Sequence, residues 1–144
     1  TSRCCPDGIK HLESKNTTIP MHPVDREALV NFRRAIGKHD GLLNNWYIDD
    51  PSSHPCDWSG VICDCCALYP ADGLDFCDGI DTTYQHVYHL DFGPSKPSNK
   101  RLNGYLSPYL GNLTELRLAY LHVNEFSGEI PREMARLQKL QRLL

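Results

Sequence analysis

The fold is decided by residues 102–144, which read LNGYLSPYLGNLTELRLAYLHVNEFSGEIPREMARLQKLQRLL. Seven mostly apolar pairs recur 24 positions apart in this stretch: Leu102/Phe126, Gly104/Gly128, Leu106/Ile130, Leu110/Met134, Leu113/Leu137, Leu116/Leu140 and Ala119/Leu143. A unit of this length cannot bury its apolar side chains alone, so successive coils must stack into a continuous core. The register therefore predicts a right-handed solenoid with one short parallel strand per coil and helical or irregular turns on the outer side.

A capping helix is predicted upstream of the repeats. Asp25 has the side chain of an N-cap residue, and Gly37 is placed to end the helix. Val24 and Leu29 are spaced for a hydrophobic staple around that start. One apolar stripe follows at helical spacing: Leu29, Phe32 and Ile36. We expect this stripe to cover the first coil, because an uncapped solenoid end leaves apolar side chains in water.

Cysteines and sequons indicate an oxidising, secretory environment. The seven cysteines all precede the repeats: Cys4, Cys5, Cys56, Cys63, Cys65, Cys66 and Cys77. This clustering suits a disulfide-stapled cap more than a cytosolic enzyme. Asn16 and Asn112 each begin an acceptor pattern for N-glycosylation, which occurs on chains that enter the secretory route. The sequence thus predicts a secreted, extracellular glycoprotein of the cell wall or cell surface.

Charge and hydropathy exclude several partners. The net charge of the 144 residues is −3 and the pI is about 6.1, so the chain has no basic footprint for nucleic acid. No apolar run approaches the roughly 20 residues that span a bilayer. The chain begins at Thr1 without a charged and then apolar leader, which predicts a processed segment.

Two motifs carry a resemblance to a known family. Residues 55–63, PCDWSGVIC, place two cysteines seven apart around a Trp and a Gly turn, which suits a disulfide-closed loop beside a strand. Residues 113–131, LTELRLAYLHVNEFSGEIP, include the Gly-x-Ile-Pro segment of a plant repeat subtype. Together they resemble the N-terminal cap and repeats of plant-type extracellular leucine-rich-repeat proteins, which include receptor-like proteins, receptor-like kinases and polygalacturonase-inhibiting proteins.

The resemblance implies both a fold class and a domain plan. The fold is an α/β solenoid, a leucine-rich repeat with a disulfide-stapled helical N-terminal cap and short parallel strands. The plan has an N-terminal arm over 1–24, the cap with a Cys-containing insertion over 25–86, and about two repeats over 87–144, truncated at the start of the next. Within the cap, the resemblance implies a disulfide between Cys56 and Cys63.

The repeats depart from the family pattern in places. Ala119 stands where Leu is usual, which predicts a looser strand or a compensating neighbour such as Leu118. The first strand lies five residues farther from Leu102 than the pattern requires, so a loop rich in Pro and Ser is expected after it. Asn124 is expected to satisfy backbone groups at the turn. Residues 128–131 are expected to begin a second short strand.

The remaining disulfides stay open. Adjacent cysteines have Cα atoms about 3.8 Å apart, below the usual bridged range of about 4.4 to 6.8 Å, so neither vicinal pair should bond internally. Cys77 is expected to take Cys65 or Cys66, and one of Cys4 or Cys5 the remaining vicinal cysteine. Because the total is odd, one thiol is left free or bridges to another chain.

No metal, cofactor or catalytic site is predicted. The set Cys63, Cys65, Cys66 and Cys77, with His54 or His86, lacks regular zinc spacing. The carboxylates Asp72, Asp75, Asp78 and Asp81 lack the spacing of a calcium loop. The chain also contains no nucleophile elbow, phosphate loop or H-E-x-x-H motif, so we expect it not to be an enzyme.

The predicted ligand surface is the concave face of the coils. Strand alternation nominates six residues there: Tyr88, His89, Asp91, Leu118, Tyr120 and His122. Such side chains suit a protein, peptide or glycan ligand. The resemblance implies non-catalytic recognition in signalling or defence, by the front part of a secreted or receptor-like protein. Two alternatives are a subunit that stacks end to end through its open last strand or an unpaired Cys, and an inhibitor of microbial wall-degrading enzymes.

Overall fold

The computed structural model describes residues 19–64, 83–93 and 96–144. Helix α1 is followed by six strands: α1 (Pro23–Ala35), β1 (Val61–Ile62), β2 (His89–Asp91), β3 (Asn103–Tyr105), β4 (Leu118–Tyr120), β5 (Glu125–Ser127) and β6 (Arg142–Leu143). Short 3-10 helices cover Pro55–Asp57, Pro108–Asn112 and Arg132–Arg136. Several predictions lie outside the described residues, those on Asn16, Cys4, Cys5, Cys65, Cys66, Cys77, Asp72, Asp75, Asp78 and Asp81.

Helix α1 begins two residues before its predicted start. His22 is the N-cap, because its Nδ1 accepts a hydrogen bond from the Val24 N–H at 3.2 Å, and Pro23 fills the first helical position. The prediction of Asp25 as the N-cap was therefore wrong. Its side chain points inward, is 1% exposed, and accepts a hydrogen bond from the Val87 N–H at 2.9 Å. This carboxylate fastens the helix to the segment that leads into β2.

The C-terminal end of α1 also differs from the prediction. The helix stops at Ala35, and Ile36 is already extended, so Gly37 lies outside the helix. Ile36 forms an isolated antiparallel bridge with Gly104, and the Gly37 N–H donates to the Asn103 carbonyl at 3.0 Å. The chain thus leaves the helix to pair with the first coil.

The concave sheet confirms the solenoid. Its strand order is β1-β2-β4-β6, with β2, β4 and β6 parallel and β1 antiparallel to β2. Leu90 pairs with Ala119, 29 residues later, whereas Ala119 pairs with Leu143, 24 residues later. The difference equals the five extra residues expected after the first strand. Stacking of the coils therefore follows the predicted register.

A second, two-stranded sheet lies on the other side of the turn. Strands β3 and β5 pair in parallel, with Gly104 opposite Phe126. The prediction that residues 128–131 begin this strand was wrong, since the strand is Glu125–Ser127. Gly128 ends it with a φ of +79°, a left-handed conformation that Gly adopts without strain.

The predicted apolar stripe of α1 packs into an aromatic cluster. Leu29 and Phe32 are fully buried and Ile36 is 5% exposed. The Phe32 ring lies 5.8 Å from Trp46 and 6.0 Å from Phe92 between centroids. Burying side chains of this size contributes about 1.5 to 3 kcal/mol each. The cap therefore closes the apolar end of the first coil, as the sequence predicted.

The loop after α1 is stapled as the resemblance implied. Cys56 is bonded to Cys63, and both are buried. Between them, Trp58 stacks on Trp46 at 5.1 Å, and its indole N–H donates to Ser53 Oγ at 2.8 Å. A buried Trp needs such a partner for its N–H.

Asn124 satisfies backbone groups at the turn, as predicted. Its Nδ2 donates to the carbonyls of Phe92 and Leu121, each at 2.9 Å, and to that of His122 at 3.3 Å. Its Oδ1 accepts a hydrogen bond from the Leu102 N–H at 2.8 Å. One amide therefore links two coils and both sheets.

Ala119 is accommodated without the neighbour that was expected to compensate for it. Ala119 is fully buried in the core. Leu118 lies outside that core cluster because successive strand residues point to opposite faces. The expectation that Leu118 fills the space beside Ala119 was therefore wrong.

Candidate functional site

The concave face is arranged in two cross-strand rows. The first row runs through Ile62, His89, Leu118 and Arg142, and the second pairs Asp91 with Tyr120. Parallel pairing sets these side chains about 4.8 Å apart across the strands. A ligand lying across the strands would therefore meet side chains from successive coils.

Three of the six nominated residues are buried, contrary to the prediction that they are exposed. Tyr88 is 3% exposed, His89 5% and Leu118 9%. The other three, Asp91, Tyr120 and His122, are partly exposed. Neighbouring side chains account for the burial of Tyr88 and His89, which sequence periodicity does not show.

Tyr88 serves packing. It precedes β2 and shares the parity of the buried Leu90 rather than that of the concave residues. The Arg117 guanidinium lies 5.1 Å from the centroid of the Tyr88 ring, a cation–π contact. Arg117 is itself only 4% exposed and lies 3.7 Å from a Glu115 carboxylate oxygen. This stack closes the edge of the sheet and removes Tyr88 from the ligand surface.

His89 is a buried imidazole beside an aromatic ring. The ring of Tyr120 stands nearly perpendicular to it, at 83° and 4.8 Å between centroids. Neither Nδ1 nor Nε2 of His89 has a hydrogen-bond partner. Burial lowers the pKa of the His89 imidazole, and the Asp91 carboxylate opposes part of that shift. Near neutral pH the ring is therefore uncharged, with one donor and one acceptor unused.

Asp91 and His122 add further unused polar atoms to the same surface. Oδ1 of Asp91 and Nδ1 of His122 are buried without hydrogen-bond partners. The His122 and Tyr120 rings lie 6.2 Å apart between centroids. We call His89, Asp91, Tyr120 and His122 the concave polar cluster. The structure thus brings together four of the six residues nominated from sequence.

Gly93 is a residue of this site that the sequence reasoning missed. A Cβ atom there would lie 2.8 Å from His122 Cε1 and 2.9 Å from the Tyr120 Cβ. Only a residue without a side chain therefore lets His122 cross onto the first coil. The signal was available in principle, because Gly93 and His122 are separated by the same 29 residues as the paired strands.

His89 is expected to make the folded chain sensitive to acid. Its pKa is lower in the folded chain than the ordinary value of 6.5, so the unfolded chain takes up the proton first as the pH falls. Its effect is absent well above pH 6.5, and the free energy of unfolding decreases as the pH falls through that value. Urea unfolding at about pH 7.5 and about pH 5 should show a smaller acid loss in His89→Phe than in the native chain. Equal losses would contradict this assignment.

The described residues offer no group of three or more His, Cys, Asp or Glu side chains that could hold a metal ion. No helix in the described ranges is long and apolar enough to cross a membrane. What the concave polar cluster can do chemically is hydrogen bonding and aromatic contact.

Comparison with known proteins identifies the class to which this architecture corresponds. The leucine rich repeat N-terminal domain family matches residues 22–64, the part that contains α1 and the Cys56–Cys63 loop. Together with the stacked coils, this match makes the chain the N-terminal cap and first repeats of a plant-type extracellular leucine-rich-repeat protein.

Particular relatives are receptor-like proteins. The probable LRR receptor-like serine/threonine-protein kinase RPK1 of Arabidopsis thaliana is 35% identical over 118 residues, which are 81% of this chain and 21% of that protein. Phytosulfokine receptor 1 of Arabidopsis thaliana is 31% identical over 88% of this chain and 10% of its own length. Receptor-like protein EIX1 of Solanum lycopersicum is 31% identical over 83% of this chain and 11% of its own length. The chain thus spans about a fifth or less of these relatives.

A solved structure agrees with the fold. The crystal structure of PEPR1-AtPEP1 matches 81% of this chain and 13% of that chain, with a TM-score of 0.58 and 25% sequence identity. The residues matched in these comparisons are leucine-rich-repeat cap and coils, a binding module rather than a catalytic domain.

Proposed function

We propose that this chain is an extracellular recognition module in signalling or defence, and that its concave polar cluster contributes to binding a peptide. The observation that carries the proposal is the set of buried polar atoms without partners on His89, Asp91 and His122. An unsatisfied buried polar group costs about 1 to 3 kcal/mol, so three adjacent residues of this kind need a reason to be there. A ligand that supplies their missing hydrogen bonds is such a reason.

A peptide fits this surface better than a sugar or an ion. The rows of the concave polar cluster follow successive coils, so an extended chain that crosses the strands would meet Asp91 and then Tyr120. A backbone N–H or a hydroxyl can donate to the Asp91 carboxylate, and a peptide side chain can pack on the Tyr120 ring. Because Tyr120 contacts the ring of His89, displacement of Tyr120 would give the ligand access to that imidazole.

The relatives support the receptor class in general terms. One is named as a receptor for phytosulfokine, and PEPR1 was solved as PEPR1-AtPEP1. For this chain, a ligand that spans more coils than the first two is expected to make only part of its contacts with the concave polar cluster. The proposal therefore predicts modest binding by this segment.

The test is selection from a displayed library of random peptides on the secreted chain. Enriched peptides should bind the native chain and lose at least about tenfold in affinity with the double variant Tyr120→Ala/His122→Ala, since buried contacts of this kind contribute about 1 to 3 kcal/mol. Calorimetry on synthetic copies of the enriched peptides supplies the dissociation constants.

A matched control separates the two faces of the solenoid. Tyr109, which is 40% exposed, lies on the outer 3-10 helix away from the concave sheet, so Tyr109→Ala should bind the peptides like the native chain. Peptides that bind all three proteins equally, or a library that yields none, would refute a peptide site at the concave polar cluster.

End-to-end stacking remains an alternative prediction, and one surface favours it. The end beyond β6 carries an apolar cavity of about 220 Å³, whose apolar lining residues are Leu106, Leu121, Phe126, Ile130, Leu143 and Leu144. A further coil of the same repeat would fit the same surface. Inhibition of microbial wall-degrading enzymes also remains a prediction, without a specific contact among the described residues in its favour.

A further inference from the structure

A groove on the outer side of the solenoid lies next to one of the two sequons. It has a volume of about 160 Å³ and is lined by Pro108, Tyr109, Asn112, Glu133 and Arg136. These residues come from two 3-10 helices, Pro108–Asn112 and Arg132–Arg136, which stack on each other in successive coils. The groove is therefore a product of the repeat and lies on the opposite side of the coil from the concave sheet.

The geometry of the 3-10 helix aims two side chains into this groove together. Side chains three residues apart eclipse each other in a 3-10 helix, so Tyr109 and Asn112 project in the same direction. Glu133 and Arg136 have the same spacing on the second helix. At the closest approach of the two helices, a Cβ on Gly111 would lie 2.4 Å from the Glu133 carbonyl oxygen. Gly111 thus brings the walls together without filling the space between them.

The sequon itself is presented for modification. Asn112 is partly exposed and Thr114 is exposed, whereas Leu113 between them is fully buried in the core. The Thr114 N–H donates to the Asn112 carbonyl at 3.0 Å, which keeps the acceptor tripeptide in a tight turn. Within the described residues, the side-chain amide of Asn112 is not committed to a hydrogen bond that a glycan would break.

We propose that Asn112 carries an N-linked glycan whose first N-acetylglucosamine packs in this groove against the Tyr109 ring. The amide nitrogen of Asn112 forms a bond to C1 of an oligosaccharide carried on a lipid pyrophosphate. The lipid pyrophosphate leaves with the electrons of the broken C–O bond, and the amide nitrogen loses one hydrogen as a proton. The modification requires entry into the secretory route and is independent of what the concave face binds.

The groove has the chemistry to hold a sugar. The apolar face of a pyranose ring can lie on the exposed Tyr109 ring, which is 40% accessible. The Glu133 carboxylate can accept hydrogen bonds from sugar hydroxyls, and the Arg136 guanidinium can donate to the acetamido carbonyl. A glycan held there would cover the outer face and leave the concave polar cluster open.

The first test locates the modification. The full chain is secreted from plant cells behind a signal peptide, in an Asn16→Gln background that removes the other sequon, and its glycopeptides are mapped by mass spectrometry. We expect one glycan, at Asn112, retained in Thr114→Ser and lost in Thr114→Ala. A folded, secreted Asn16→Gln chain with unmodified Asn112 would overturn the proposal.

The second test asks whether the sugar sits in the groove. An endoglycosidase that cuts within the chitobiose core should release the glycan from folded Tyr109→Ala about fivefold faster than from the unsubstituted Asn16→Gln chain, as expected for loss of one ring contact. Tyr105→Ala is the control, because Tyr105 is also exposed but does not line the groove. Equal release rates from all three proteins would overturn packing against Tyr109.

Discussion

Replacing Gly104 with alanine is expected to destabilise the chain by about 3 to 5 kcal/mol, the combined cost of a left-handed backbone and an overpacked contact. Gly104 has a φ of +119°, and a Cβ there would lie 2.2 Å from the Ala35 carbonyl oxygen and 3.0 Å from Ile36 Cα. Both neighbours are backbone at the end of α1, so they cannot move aside as a flexible side chain could. Urea unfolding followed by tryptophan fluorescence measures the loss.

Gly128 provides the matched control for this substitution. It stands 24 residues after Gly104 and has a φ of +79°, but no atom lies within 4 Å of the position of a Cβ. Gly128→Ala should therefore cost only about 1 to 2 kcal/mol, the backbone strain alone. If the two substitutions have equal effects, the close approach of the cap to the first coil is not what requires glycine at 104.

Replacing Asn124 with alanine is the second change with a large expected effect, about 2 to 4 kcal/mol of unfolding free energy. The substitution leaves the Leu102 N–H without its acceptor and deprives the carbonyls of Phe92 and Leu121 of a donor. These groups belong to both sheets, so the loss should weaken the coil as a whole. The same urea measurement, read against the native chain, gives the value.

Two further variants test the origin of that loss. Asn124→Asp keeps an acceptor for the Leu102 N–H but places a carboxylate beside the carbonyl oxygens, so we expect no rescue relative to Asn124→Ala. Asn99→Ala, at an exposed turn of the five-residue insertion, should change stability by less than about 0.5 kcal/mol. A native-like Asn124→Asp would show that the donor half of the amide is dispensable.

The parts of the fold that depend on periodicity could be predicted from sequence. The recurrence of Ala119 at Leu143 correctly placed two paired strands, and the extra residues before Leu102 correctly predicted the longer first coil. Asn124 could be predicted because its amide both donates and accepts, which suits a turn with several free backbone groups.

The parts that depend on local choice or on a distant neighbour could not. The start of α1 was misplaced because Asp25 is a good N-cap by type, but Pro23 fixed the first turn and left the His22 imidazole to cap it. The burial of His89 depends on the Tyr120 ring, which comes from another strand. Sequence alternation indicates which face a side chain points to, but not what covers it.

The longer pairing distance between β2 and β4 has a consequence for how ligand surfaces can change in this solenoid. The extra residues are taken up at the rim, where the Lys96 ammonium donates to the Val123 carbonyl at 2.8 Å and the Arg101 N–H donates to an Asp40 carboxylate oxygen at 2.9 Å. The strands on either side keep their ordinary separation of about 4.8 Å. Insertions and deletions at the rim can therefore alter what borders the concave face while the spacing that a ligand reads across the coils stays constant.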